Sequence, residues 1–386
     1  YSALAADYGW MYHDGVSSGN PFCATSADRG CWGHRHAILS GLLGPIYMGA
    51  AVTFTSKLGP GYGSWAMLLA GTGGVKLPVI YPADAVSPTP PSHSITLTRI
   101  AGPNRIATAV ATSKASYPTA GSAGAVVLAS DAAFPDALSG TPLAAAKHAP
   151  VLLTPPGALA APVGAEIARV LPAGGTVYVL GGTEALSHGV AAKVESLGFK
   201  VTRVAGPNRF ATAVAVAKAL GSPSAVFEAT GTTFAAALVA GPAAAKAHGV
   251  VLLTNGAHQS PATSAYLAAH SGKDYAIGAQ ATAADPSATS ITGPTPYATA
   301  VAVATHFWTA PTAAGFASGA SWADSLSGGA QAASEGSPVL LVPPAGPLPK
   351  SLTAYLSSHP KLVKGHVYGG TAAVGLDVLT EVTKAG

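Results

Sequence analysis

Two arginines stand in the same short phrase, Gly102-Pro103-Asn104-Arg105 and Gly206-Pro207-Asn208-Arg209. A guanidinium offers a planar fork of N–H donors to phosphate or carboxylate, and an asparagine amide caps a helix or donates to a polar ligand. The chemistry on offer is recognition of an anion. A third phrase, Gly293-Pro294-Thr295-Pro296, keeps the frame and drops the arginine. Downstream, Asp136 of Phe134-Pro135-Asp136 is matched by Asp324 of Trp322-Ala323-Asp324 and by Ala236 of Phe234-Ala235-Ala236. Arg105 either meets a ligand or pairs with Asp136 inside its own repeat, and the internal pair is the favoured expectation. On that expectation the second copy has lost the acid, the third has lost the arginine, and a strict pair survives in the first alone. The sequence holds no nucleophile elbow, P-loop or HExxH, so no catalytic residue and no cofactor is assigned.

These phrases belong to a larger repetition. Each copy continues to Pro150-Val151-Leu152-Leu153, Val250-Val251-Leu252-Leu253 or Pro338-Val339-Leu340-Leu341, and then to Gly181-Gly182-Thr183, Gly278-Ala279-Gln280 or Gly369-Gly370-Thr371. In the first copy, apolar runs at 125–129, 151–154, 177–180 and 201–205 alternate with segments of helical spacing. Strands apolar on consecutive residues are buried on both faces, which predicts a parallel sheet covered by helices on two sides. Pro103 and Pro207 open helices, so each Gly-Pro phrase is a strand-to-helix turn at the carboxyl edge of a sheet. Such an edge gathers helix N-termini and is the expected place for shared function. Segments 139–147, 239–246 and 327–334 read as helices of very small side chains. Two arrangements fit them: mutual packing into a rosette, or each helix lying on its own sheet.

Composition narrows the partners. Of 386 residues only 9% are charged, against roughly 25% in an average soluble protein. Weak self-repulsion favours contact with a polymer, a partner or copies of itself. A net charge of +4 and the lack of any lysine or arginine run argue against nucleic acid. No apolar run reaches the roughly 20 residues that span a bilayer. The chain starts at Tyr1 and shows no signal peptide, which suggests lost N-terminal sequence. The two cysteines, Cys23 and Cys31, read as a local disulfide suited to an extracellular setting, with a reduced pair as the alternative. Residues 76–94, with five prolines, read as a stiff linker.

The Gly-Pro-Asn-Arg-x-Ala-Thr-Ala turn, Phe-Pro-Asp-Ala-Leu-Ser, Pro-Val-Leu-Leu and Gly-Gly-Thr together resemble the cell-wall-binding repeat type 2 family over residues 95–386. The resemblance implies three Toprim-like α/β repeats about a pseudo-threefold axis, at 95–200, 201–289 and 290–386. It also implies noncovalent anchoring of a secreted protein to anionic polymers of Gram-positive walls. The family's Pro-Ile-Leu-Leu motif, tied there to polymer binding, falls on Pro150, Leu152 and Leu153 and on Pro338, Leu340 and Leu341. Upstream, Trp10-Met11-Tyr12-His13-Asp14 and Gly33-His34-Arg35-His36 resemble the C-terminal half of a CAP-superfamily domain, an α/β/α piece over residues 1–75. In that family His34 matches one ligand of a metal-holding cleft. The other ligands have no complete match here, so no metal site is assigned and His34 is expected to be a hydrogen-bonded structural histidine.

The resulting expectation is a non-catalytic, extracellular anchor that displays a CAP-like part. Its expected polymer contacts are Arg99, Asn104, Arg105, Lys147, Arg203, Asn208, Arg209 and Lys246, with the Pro-x-Leu-Leu positions. Two alternatives stand beside it: a self-assembling surface layer or filament, and hydrolytic or metal-dependent activity of the CAP-like part.

Overall fold

The computed structural model describes residues 47–53, 64–70 and 94–385, and the chain divides after Thr89 into two units. In the first, β1 (Tyr47–Thr53) and β2 (Ser64–Ala70) pair antiparallel. Of the residues that carry the CAP resemblance, Met48–Val52 falls on β1 and Ser64-Trp65 on β2, while Trp10–Asp14, Cys23, Cys31, Gly33–His36 and linker residues 76–93 lie outside the described residues.

In the second unit β3 (Thr96–Ile100) comes first. It is followed by α1 (Arg105–Ser116), β4 (Ala125–Ser130), α2 (Gly140–Ala146), β5 (Val151–Thr154), α3 (Ala161–Val170), β6 (Thr176–Leu180), α4 (His188–Ser196) and β7 (Lys200–Val204). The series recurs as α5 (Arg209–Leu220), β8 (Ala225–Thr230), α6 (Ala235–Lys246), β9 (Val250–Thr254), α7 (Pro261–Ala268), β10 (Lys273–Ile277), α8 (Ala279–Ala284) and β11 (Thr289–Ile291). Its third appearance is α9 (Pro296–Phe307), β12 (Ala313–Ser318), α10 (Ala323–Ser334), β13 (Val339–Val342), α11 (Lys350–Ser358), β14 (Lys364–Tyr368) and α12 (Leu376–Ala385).

Three parallel four-stranded sheets result, ordered β5-β4-β6-β7, β9-β8-β10-β11 and β13-β12-β14-β3. We call them sheets I, II and III. Every residue of β4, β5, β8, β9 and β13 is buried, as expected for strands covered on both faces. The last strand of each sheet carries the residues just before a Gly-Pro turn. For sheet III that strand is β3, which comes from the start of the unit and pairs with β14, Val367 opposite Arg99. Each sequence repeat therefore begins in a strand of the neighbouring sheet, and the series closes on itself.

The small-residue helices choose the rosette. α2, α6 and α10 all pack on one another, and the helix after each Gly-Pro turn packs on the small helix of another unit: α1 on α10, α5 on α2, α9 on α6. Thr141, Gly241 and Gly329 occupy equivalent places where the three helices meet. A Cβ on Gly241 would stand 2.8 Å from the Thr141 Cβ, and one on Gly329 would stand 3.4 Å from the Thr141 Oγ1. The Thr141 side chain fills the space that a side chain on Gly241 would need. Gly241→Val is expected to lower unfolding stability by about 1–3 kcal/mol. Adding Thr141→Gly should restore most of the loss in a denaturant titration; additive losses would show that the two sites do not touch.

Sheet II departs from its sisters at one core position. Glu228 on β8 is fully enclosed where sheets I and III have Leu128 and Phe316. Gln259 donates an amide N–H to its Oε2, while Oε1 has no partner among the described residues. Burial is the first cause that pushes the Glu228 pKa up, to about 8, and the nearby Asp285 and Asp274 carboxylates act in the same direction. A raised folded-state value means that the native state holds the proton more tightly than the unfolded chain. The contribution to stability is thus complete below about pH 4.5, the ordinary glutamate value, and is lost as pH rises toward about 8. Glu228→Gln cannot ionise. Chemical denaturation from acid to mildly alkaline pH should show a flatter stability profile for the variant; an identical profile would exclude Glu228 as the titrating group.

Candidate functional site at the unit junctions

Each Gly-Pro turn is built the same way. Thr108, Thr212 and Thr299 accept the backbone N–H of Gly102, Gly206 and Gly293 on Oγ1 at 3.1, 3.2 and 3.0 Å. A Cβ at Gly102 would sit 2.5 Å from the Ala107 Cβ, so the strand can meet the helix this closely only through glycine. Asn104 caps α1 by accepting from Ala107 N at 2.9 Å, and Asn208 caps α5 by accepting from Phe210 N and Ala211 N. Thr295 does the same for α9. Arg105, Arg209 and Pro296 are then the first residues of their helices.

The expected Arg105–Asp136 pair does not form. Among the described residues no ion pair joins them. Arg105 instead donates from Nη1 to the Asp131 carbonyl at 2.6 Å, and its guanidinium stands 5.0 Å over the Trp322 ring. The acid beside it is Asp324, next to Thr108 and raised in pKa chiefly by burial, with Thr108 and Arg105 opposing that shift. The reason is the packing of α1 on α10, which brings the first turn of one unit to the acid of another. Arg209 donates to the Gly231 carbonyl at 2.7 Å, and α5 packs on α2, the helix that Asp136 precedes.

Both acids lie against the Gly-Gly-Thr loop of their own unit. A Cβ on Gly181 would stand 2.6 Å from an Asp136 oxygen, and one on Gly369 would stand 2.5 Å from an Asp324 oxygen. Arg99 and Arg203 hold these loops from behind. Arg99 donates to the Gly369 and Val374 carbonyls at 2.6 and 2.7 Å, while Arg203 reaches those of Gly181, Gly182 and Ser187 at 2.8, 3.1 and 3.4 Å. Partial burial lowers the pKa of each. Both terminal nitrogens of each guanidinium are engaged on the protein's own carbonyls.

The remaining expected contacts divide by burial. Leu152, Leu153, Leu340 and Leu341 are wholly enclosed in sheets I and III, and Pro150 and Pro338 are buried at the starts of the same strands, accepting from Val127 N and Gly315 N. The leucines belong to the buried strands β5 and β13. Lys147 is half-buried at the end of α2, and Lys246 lies over the Trp308 ring at 5.6 Å. Sequence reasoning passed over the aromatic trio. Phe134 has its ring centroid 6.0 Å from Phe234 and 5.9 Å from Trp322, so the aromatic of the first repeat meets those of the other two. Their equal offset in the three copies was the available signal. Among the described residues no three His, Cys, Asp or Glu side chains converge as metal ligands, and no helix is long and apolar enough to cross a membrane.

The profile of the family described as Cell wall binding domain 2 (CWB2) matches three times, over residues 99–191, 203–286 and 290–379. The chain belongs to the CWB2 family. Among curated proteins, the CWB2 chain is similar to the N-acetylmuramoyl-L-alanine amidase LytC of Bacillus subtilis (strain 168), 36% identical over 169 residues, which are 44% of this chain and 33% of the relative. It is also similar to the amidase enhancer of the same organism, 35% identical over 155 residues, 40% of this chain and 21% of that one. The chain thus covers a third or less of these relatives' lengths. Solved structures of Cwp8 and Cwp6 from Clostridium difficile share the fold. Each has a TM-score of 0.69, at 24% and 19% identity, covering 75% and 88% of this chain and 52% and 57% of theirs.

Arg203→Ala should leave three loop carbonyls without their donor. Amide exchange over 181–187 is expected to accelerate while β4 and β5 keep their protection, at a stability loss of about 1–3 kcal/mol. Unchanged exchange there would show that the loop does not depend on Arg203.

Proposed function

We propose that the three CWB2 repeats anchor their chain noncovalently, outside the cell, to an anionic secondary polymer of a Gram-positive-type wall. The observation that carries this reading is the exposed Arg105 guanidinium at a carboxyl-edge turn, spread over the Trp322 ring and bonded to a single carbonyl. An arginine held this way keeps donors for phosphate or carboxylate, while an aromatic face beside it suits a sugar ring. Arg209 takes the same part in the second turn. Asn104 and Asn208 fix the turns, Arg99 and Arg203 fix the loops, and Lys147 and Lys246, at the ends of α2 and α6, add positive charge at the opposite, amino edge of sheets I and II. The Pro-x-Leu-Leu segments act as the frame that sets these edges. Residues 1–75, with their resemblance to the CAP superfamily, are what the anchor displays. The reading needs no catalytic residue and no cofactor.

Cosedimentation with purified Bacillus subtilis walls tests it, before and after the secondary polymers are stripped. Binding is expected to the intact walls and not to the stripped ones. It should also weaken as salt approaches ~1 M, where charges more than about 3 Å apart are screened. Equal sedimentation with both wall preparations would refute a polymer anchor.

A further inference from the structure

We infer that the polymer sites lie between units rather than within them, and that this chain carries two such sites out of three possible. The inference rests on the anchoring reading and adds its valency.

The cyclic packing defines three junctions. In the first, the Arg105 turn faces Asp324, Trp322 and the loop at Gly369. Its basic and acidic groups are close enough to feel one another, yet among the described residues they form no ion pair. The second junction has the same parts: the Arg209 turn on α5, packed on α2, with Asp136, Phe134 and the loop at Gly181 on the facing unit. The third joins the α9 turn to α6. Here the arginine position is Pro296 and the acid position is Ala236. Read along the sequence, these are separate losses in two different repeats. Read across the junction, they are both halves of one pair.

The same junction has lost its support as well. The position of Arg99 and Arg203 is Ser290, which bonds Thr282 instead, and the chain after Gly278 coils into α8 where the other units form a Gly-Gly-Thr loop. Four positions thus degenerate together at one junction and stay intact at two. A purely architectural pair would have no reason to vanish as a set while the helix packing of the third junction persists. A ligand site that has fallen out of use accounts for it.

The lost site can be rebuilt. Pro296 is already the first residue of its helix, as Arg105 and Arg209 are, and a Cβ on Gly278 would lie 3.4 Å from the Ala236 Cβ, in the place where Gly181 and Gly369 receive their acids. The experiment measures affinity for intact Bacillus subtilis walls, with thermal unfolding to check each variant. Arg105→Ala and Arg209→Ala should each weaken binding by about 10-fold or more, because two linked contacts become one. Together they should reduce it to the level of stripped walls. Pro296→Arg with Ala236→Asp should tighten binding by about 10-fold. Arg105→Lys keeps the charge at an exposed place and serves if the alanine variant unfolds; it should weaken binding by losing the planar fork. Wild-type binding that survives the double arginine variant would overturn the inter-unit sites while leaving the anchor standing. Failure of the wild type to bind intact walls would remove the anchor itself.

Discussion

Three helices can meet on a common line only if their contacting residues are almost without side chains. α2, α6 and α10 satisfy this with alanine, glycine and serine, and at the tightest level the three equivalent positions share a single threonine side chain. Everything else about the second unit follows from that approach. It sets the distance between sheets, it places Phe134 against both Phe234 and Trp322, and it brings each turn helix onto a neighbour.

Cyclic packing has a cost in topology that β3 resolves. A linear chain of three units leaves one sheet short of its last strand, and the first strand of the unit fills that place by pairing with β14. Arg99, carried on β3, then reaches the Gly369 loop across nearly the whole length of the unit. The closing strand therefore does for sheet III what β7 with Arg203 does for sheet I. Sheet II, closed by the short β11 without an arginine, is the one whose loop has become a helix and whose core holds Glu228. Departures from the common pattern collect around sheet II.

Much of this was legible in the chain. Consecutive apolar residues marked the buried strands, Gly-Pro phrases marked the turns, and runs of alanine and glycine marked the axial helices. What could not be read was partnership across units. Arg105 and Asp136 share a repeat, so alignment made them the natural pair, whereas packing gives Arg105 to Asp324. The Leu-Leu motif shows a related limit of repetition, which marks a buried strand and a binding edge alike; here the leucines are buried in sheets I and III. The aromatic trio was visible as an equal offset in each copy, but its meaning depends on a convergence that no single repeat contains.

The central claim is that the binding edges are made by neighbouring units and that two of the three remain in use. Native mass spectrometry of the intact chain with short, acid-released fragments of wall polymer reads this most directly. The account requires saturation at two fragments per chain. Three equivalent fragments, or a single one seated on the axis, would contradict it.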